Sequence, residues 1–440
     1  MTTSPTPAAP TDDPAKLHNP YFYQKPGDKD IWTLINEAAA EAQKLLGGRQ
    51  IVNLGQGFFS YNPPDFALDA AKAALNEVNQ YAPARGNPNL LAEVARHYLT
   101  LYGRKVDVSQ VQITTGANEG MLSIFFGYLT PGDEVVVFEP FFDQYIANIE
   151  MTGATIKYVP INYPLKMDTA TVTGDDWQVD WAKLEASITP KTKMIVINTP
   201  HNPIGKVFTE AELERIGKLC IKHNLILVSD EVYENLYFGK TFPRPANLAN
   251  LPELADRTLT VGLAGKLFAA TGWRIGYVQG PANLIKYVTA AHVRICFCSP
   301  SPLQQAVAQG FRAADQSNYF AKTRDQYRHK YQLFTKVFDD LGLPYTEAQG
   351  GYFLLVNLSK VKIPKDYSYP PEIASRTNDF KLAYWLIQEL GVVGIPPTEF
   401  LYPENREGNG LENCLRFAVC KDDLILQEAV ERLKLLKDYI

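Results

Sequence analysis

Apolar residues at helical spacing, interspersed with alanines, run from Ile31 to Leu46 and stop at Gly47-Gly48, which predicts a first helix. Ile51 to Leu54 reads as a short strand leading into Gly55-Gln56-Gly57, and 66–78 and 88–102 read as helices. Beyond residue 110 a rhythm sets in. Continuous apolar runs at 111–114, 134–138, 155–159, 193–198, 225–229, 259–261 and 275–279 predict strands, and helix-like stretches at 118–129, 141–151, 180–187 and 210–223 separate many of them. Strands that are apolar throughout and alternate with helices predict an α/β architecture, a mainly parallel sheet with helices on both faces. From about residue 318 the pattern changes to a long amphipathic helix, an apolar run at 352–357, a helix near 379–389, another run at 414–419 and a last helix to Tyr439. The expected organisation is a disordered tail over 1–20, a segment at 21–60 that packs with a small domain, a large domain over 61–317 and a small α+β domain over 318–440.

Composition narrows the function classes. At 440 residues the chain exceeds what one compact core usually holds. Its 46% hydrophobic and 21% charged residues are an ordinary globular mixture. A formal net charge of -5 and the absence of any basic block argue against nucleic acid and anionic membrane surfaces as partners. No apolar run reaches the roughly 18 residues that a spanning helix needs. The first twenty residues are rich in Pro, Thr and Ala and contain no arginine, unlike a signal or transit peptide, so a cytoplasmic rather than mitochondrial location is expected. Five cysteines, an odd number, speak against a disulfide framework and for a reducing compartment. Cys296 and Cys298 form a C-x-C pair without a second pair or a histidine cluster, so they read as small buried hydrophobes and no metal is expected.

The candidate chemistry centres on 258–276, TLTVGLAGKLFAATGWRIG, where Lys266 stands among small and apolar residues and Arg274 follows eight residues later. A lone lysine usually snorkels to the surface, but a desolvated one is a nucleophile for a carbonyl cofactor. Asp230 and Tyr233 close a strand in Ser-Asp-Glu-Val-Tyr, where a turn or cap is the plain reading of the aspartate. Asn202 lies in the turn Thr-Pro-His-Asn-Pro-Ile-Gly, and His201 beside it reads as a loop residue. Gly116, Ala117 and Asn118 begin a helix whose unpaired amides suit an anion such as phosphate. Each feature is weak alone. In chain order they supply what pyridoxal phosphate requires: a lysine for its aldehyde, a carboxylate for its pyridine nitrogen, an amide and a phenol for its ring oxygen, and an arginine with helix amides for its phosphate.

The motifs carry a resemblance. NLGQGFFSYNPPDF at 53–66, QYAPARG at 80–86, TTGANEG at 114–120, DEVVVFEPFFDQY at 133–145, NTPHNPIGKVF at 198–208, SDEVY at 229–233, AGK with ATGWRIG in 264–276, and LRFAVCKDD at 415–423 resemble the fold-type-I pyridoxal phosphate aminotransferases, and among them the kynurenine aminotransferase group. The likeness extends from about residue 20 to the C-terminus. It implies that Lys266 is the Schiff-base lysine and the base that moves the substrate proton. It implies that Asp230 pairs with the pyridine nitrogen, that Asn202 and Tyr233 hold the ring oxygen, and that Phe141 stacks on the ring. Gly116, Ala117, Asn118 and Arg274 would bind phosphate, and Tyr81 would reach the phosphate of a neighbouring subunit in a homodimer. Arg416 would grip the substrate carboxylate with help from Asn202 and the backbone near Gly57. Trp32 and Phe297 would wall the side-chain pocket.

One position departs from the family pattern. Ser-Ala-Gly-Lys is usual, whereas this chain has Leu263-Ala264-Gly265-Lys266 and so lacks one phosphate donor. Weaker cofactor affinity, or compensation from another donor, is the expectation. The implied activity is transfer of the amino group of L-kynurenine, or of other aromatic or large neutral amino acids, to a 2-oxo acid. Cysteine S-conjugate β-elimination is the neighbouring alternative, and a non-catalytic cofactor-binding protein the remote one. Arg294 is a candidate cation for a dicarboxylate substrate by position only.

Overall fold

The computed structural model describes residues 20–22, 29–45, 47 and 50–440. The expected tail, apart from Pro20, and the expected helix end at Leu46 and Gly48 lie outside these residues. The centre of the molecule is an eight-stranded sheet. Across it the strands run Val111–Thr114, Gly276–Gln279, Thr258–Leu263, Ile226–Asp230, Thr192–Asn198, Glu134–Glu139, Thr155–Asn162 and Gln178–Val179. Neighbouring strands are parallel except Gly276–Gln279, antiparallel to both its neighbours, and the edge strand Gln178–Val179. Strands Glu134–Glu139 and Thr258–Leu263 are buried along their whole length and Ile226–Asp230 at all but its first residue, as a sheet covered on both faces demands. In such sheets ligands gather beyond the carboxyl ends of the parallel strands. Asn198, Asp230 and Leu263 are the last residues of three adjacent strands, so their side chains start at that edge.

The C-terminal part forms its own core around the antiparallel pair Phe353–Asn357 and Cys414–Ala418. The N-terminal segment belongs to that core. Helix Ile31–Leu45 packs against Asn378–Leu390, and Val52–Asn53 pairs in parallel with Val392–Val393. One apolar cluster therefore joins Leu34, Ile35 and Leu54 to Trp385, Ile387 and Phe417, and fixes the Gly55–Gly57 turn against the C-terminal strands.

Most boundaries fall within a residue or two of the periodicity reading. Two helices, Ala282–Ile295 and Ser301–Gln316, occupy the stretch between 279 and 318 for which no element was expected. Both begin beside prolines, Pro281 and Pro300-Ser301-Pro302, which punctuate a sequence but are compatible with a helix start. Helix Asp143–Glu150 starts two residues later than expected.

Candidate active site

A cavity of about 240 Å³ lies at the carboxyl edge of the sheet. Trp32 and Gly57 come from the N-terminal segment, Ala117 and Asn118 from a helix start, Asn198, Asp230 and Leu263 from strand ends, and Phe353 and Arg416 from the C-terminal strands. Lys266, Tyr233, Asn202 and Arg274 complete the gathering. The residues come from most of the length of the chain, and only the fold brings them together.

Lys266 sits in a four-residue helix directly after strand Thr258–Leu263. Its Nζ donates to the Gly57 carbonyl oxygen at 2.8 Å and to the Tyr352 hydroxyl. Burial, reinforced by the Arg416 and Arg274 charges, brings its pKa down to about 8, so a substantial neutral fraction exists in mildly alkaline water. That is what a nucleophilic amine needs.

Asp230 is buried, and its Oδ2 accepts a hydrogen bond from Tyr145 while Oδ1 accepts from the Val232 amide at 3.2 Å. Burial outweighs these bonds and raises its pKa to about 6. A carboxylate so placed favours a cationic N–H partner, which would restore its charge. Arg416, also buried, donates from Nη1 to Asn202 Oδ1 at 2.9 Å and from Nη2 to the Gly55 carbonyl at 2.8 Å. Its guanidinium lies 4.2 Å from the Phe353 ring centre and 4.9 Å from that of Phe400, and burial lowers its pKa to about 10. Arg416 Nε is buried with no hydrogen-bond partner. The guanidinium is thus held from two sides and retains an unmet donor, the condition for gripping a carboxylate.

At the other end, Arg274 adopts a left-handed backbone, φ 55°, and its Nη1 donates a long hydrogen bond to the Thr271 carbonyl. Gly116 has φ +79°, and a Cβ there would sit 2.4 Å from Arg274 Nη2. A Cβ on Gly276 would meet the Gly116 carbonyl carbon at 2.7 Å. Glycine at 116 and 276 therefore lets a guanidinium and the first amides of helix Gly116–Tyr128 close on one point, an anion cradle.

The comparisons with known proteins agree with this geometry. The family model described as aminotransferase class I and II matches residues 49–433. The chain belongs to that family. It is 54% identical to a probable kynurenine–oxoglutarate transaminase of Saccharomyces cerevisiae, over 98% of this chain and 97% of the relative. It is 35% identical to kynurenine–oxoglutarate transaminase 1 of Rattus norvegicus, over 93% and 96% of the two chains. The crystal structure of a putative kynurenine aminotransferase from Saccharomyces cerevisiae superposes with a TM-score of 0.91 at 55% identity, covering 94% of this chain and 97% of that one. An aspartate aminotransferase structure from Thermus thermophilus matches at 27% identity, 0.77 TM-score and coverage of 93% and 98%. The fold is that of the fold-type-I enzymes, and the protein is an aminotransferase.

Within this aminotransferase the structure relocates some expected residues. Phe141 is no wall of the cavity. Its amide donates to the Phe400 carbonyl and its ring packs in the sheet core, 5.6 Å from that of Tyr158, so the next residue, Phe142, faces the cavity instead. Trp32 stands in the wall, but Phe297 does not. Phe297 and Tyr81 are exposed on the outside, edge to face at 5.4 Å. Arg294 lies away from the cavity, in an open groove with Phe126 and Tyr287. His201 is a buried turn residue, its imidazole held neutral by burial and by Lys206, with a pKa near 3.

Tyr145 and Tyr352 are the contacts that pattern reading missed. Tyr145 stands inside the matched motif ending DQY, but nothing local shows that its hydroxyl reaches Asp230 across 85 residues. Tyr352 reads as the apolar start of a strand. Leu263 does line the cavity, and Thr271 brings a hydroxyl-bearing residue to the same wall.

Proposed function

We propose that this aminotransferase binds pyridoxal phosphate in the described cavity and moves the amino group of L-kynurenine, and of other aromatic or large neutral amino acids, to a 2-oxo acid such as 2-oxoglutarate. The observation that carries the reading is the convergence of Lys266, Asp230 and Arg416 on one buried cavity with the Gly116–Arg274 cradle at its end. The kynurenine preference rests on the names of the relatives at 54% and 35% identity and on the aromatic wall of Trp32, Phe142, Tyr145 and Tyr233.

When bound, the cofactor supplies an aldehyde for the amino group and a protonated ring that withdraws electrons from the substrate Cα. Asp230 keeps the ring nitrogen protonated, and Tyr145 orients that carboxylate. Asn202 and Tyr233 hold the ring oxygen. Arg274 and the amides of Gly116, Ala117 and Asn118 hold the phosphate. Arg416 orients the substrate carboxylate, which fixes the Cα–H bond near Lys266. Lys266, whose Nζ bonds to the Gly57 carbonyl and the Tyr352 hydroxyl, would be the base that takes the proton from the substrate Cα and returns it during amino transfer. The oxo acid from kynurenine closes on its own aniline nitrogen to kynurenic acid without help from the protein.

The active unit in this reading is a homodimer. Tyr81 is 84% exposed and Phe297 52%, and neither faces the cavity of its own chain, as residues that complete a neighbour's site require.

The test is the visible absorption of the purified protein, read before and after L-kynurenine, with kynurenic acid measured by chromatography once 2-oxoglutarate is added. Loss of the lysine-bound cofactor band and appearance of kynurenic acid support the proposal. A band that kynurenine leaves unchanged rejects the substrate, and no band after incubation with pyridoxal phosphate rejects the cofactor.

A further inference from the structure

Two helices, one of them absent from the periodicity reading, bring together three residues outside the substrate cavity. Glu119 lies in the first turn of helix Gly116–Tyr128. His292 lies in the last turn of helix Ala282–Ile295, and Cys296 caps that helix. His292 and Cys296 are four residues apart, the spacing that sets two side chains on one helical face. His292 Nδ1 is 3.0 Å from Glu119 Oε2 and 3.5 Å from Cys296 Sγ, and all three donor atoms fall within 4.8 Å of one another. His292 is fully buried, while Glu119 and Cys296 are half-buried, so the cluster has an open side.

We propose that Glu119, His292 and Cys296 form a binding site for one thiophilic divalent cation, with zinc the cation its donors fit. Thiolate, imidazole and carboxylate together are a zinc donor set, and three protein ligands leave the fourth position of a tetrahedron open. Tetrahedral coordination at ordinary zinc bond lengths places sulfur and nitrogen about 3.6 Å apart, and nitrogen and oxygen about 3.4 Å apart. The sulfur–nitrogen edge already has that length. The nitrogen–oxygen edge has to open by only ~0.4 Å. Thr115 Oγ1, 3.5 Å from Cys296 Sγ, adds an oxygen beside the open position. Among the described residues Glu119 pairs with no lysine or arginine but with His292, which is itself one of the three donors. Its other bonds are neutral, from the Thr115 amide at 2.8 Å and from the Ser123 hydroxyl. The site is independent of the substrate reading above, since none of its three residues lines the substrate cavity.

The experiment is a titration of the purified full-length holoprotein with Co²⁺, which takes zinc sites and reports their ligands. The expected result is one Co²⁺ per chain, with tetrahedral d–d bands at wavelengths beyond the cofactor's absorption, a sulfur-to-cobalt charge-transfer band, and displacement of both by Zn²⁺. Cys296→Ser and, as a second variant, Cys296→Ala should abolish the charge-transfer band and weaken Zn²⁺ binding by about 10-fold or more. Cys298→Ser should leave the spectrum unchanged. Circular dichroism and retained transamination verify that the variants fold. Bound Co²⁺ without a thiolate band, no binding at all, or a band that survives both Cys296 substitutions overturns the proposal.

Discussion

The Tyr352 hydroxyl accepts a hydrogen bond from Lys266 Nζ and donates one at 2.8 Å to the same Gly57 carbonyl that Lys266 contacts. The three groups close a triangle between the large sheet, the N-terminal segment and the C-terminal core. Both oxygens that Lys266 meets are acceptors, and acceptors favour its ammonium form over the free amine.

Removing one of these acceptors should make the lysine less basic. Tyr352→Phe is expected to move the midpoint of pH-dependent pyridoxal phosphate capture by the apoprotein from near 8 to lower pH. A charge-assisted hydrogen bond of roughly 1.5–3 kcal/mol corresponds to about one pH unit or more. Stopped-flow capture rates across the pH range give both midpoints, and coincident curves would show that Tyr352 does not tune Lys266.

Asp230 carries a stability cost until it meets a cation. Its folded pKa of about 6 exceeds the ordinary 3.8, so the folded chain binds this proton more tightly than the unfolded one. The contribution is fully present below the ordinary value and is lost as pH rises through about 6. The loss above that point is on the order of 3 kcal/mol. Cofactor-free Asp230→Asn is therefore expected to melt higher than cofactor-free wild type at mildly alkaline pH, with the gap closing under acid conditions. The same variant should bind the cofactor more weakly, because the ring nitrogen loses its counter-charge. Thermal melts at two pH values check the first expectation; a lower melting point for the variant at alkaline pH would contradict it.

Arg416 is braced by Asn202 and Gly55 and sandwiched by Phe353 and Phe400. Arg416→Lys keeps the charge but loses the planar fork. With two charge-assisted bonds at stake, kcat/KM for the amino acid should fall by roughly 100-fold or more. The cofactor spectrum without substrate should stay as in wild type, which separates substrate grip from cofactor binding. Steady-state kinetics beside that spectrum decide the matter.

Leu263 lines the cavity where the family pattern has a serine, and it is buried in the apolar cluster of the C-terminal core. Leu263→Ser should tighten pyridoxal phosphate roughly 10- to 100-fold through a new charge-assisted bond of roughly 1.5–3 kcal/mol. It should also lower the melting point of the apoprotein, since an apolar side chain is withdrawn from the core. Equilibrium dialysis and apoprotein melts read the two effects apart. Unchanged cofactor affinity would mean that position 263 does not reach the phosphate.

The sequence by itself determined the strand-and-helix rhythm, because a buried parallel sheet writes itself as continuous apolar runs and amphipathic helices as a 3.6-residue period. It also marked Lys266, Asp230, Asn202, Arg274 and Arg416, since their motifs stand in the order that the resemblance to the aminotransferases requires. Local pattern had no means of showing which of two adjacent phenylalanines faces inward. Packing of Phe141 against Tyr158 settled that and left Phe142 to the cavity. Nor could it show that Tyr145 reaches Asp230, that Tyr352 reaches Lys266, or that Glu119 meets His292 and Cys296. Those contacts join residues 85 to 177 positions apart, and their distances depend on how the sheet, the helices and the C-terminal core pack together.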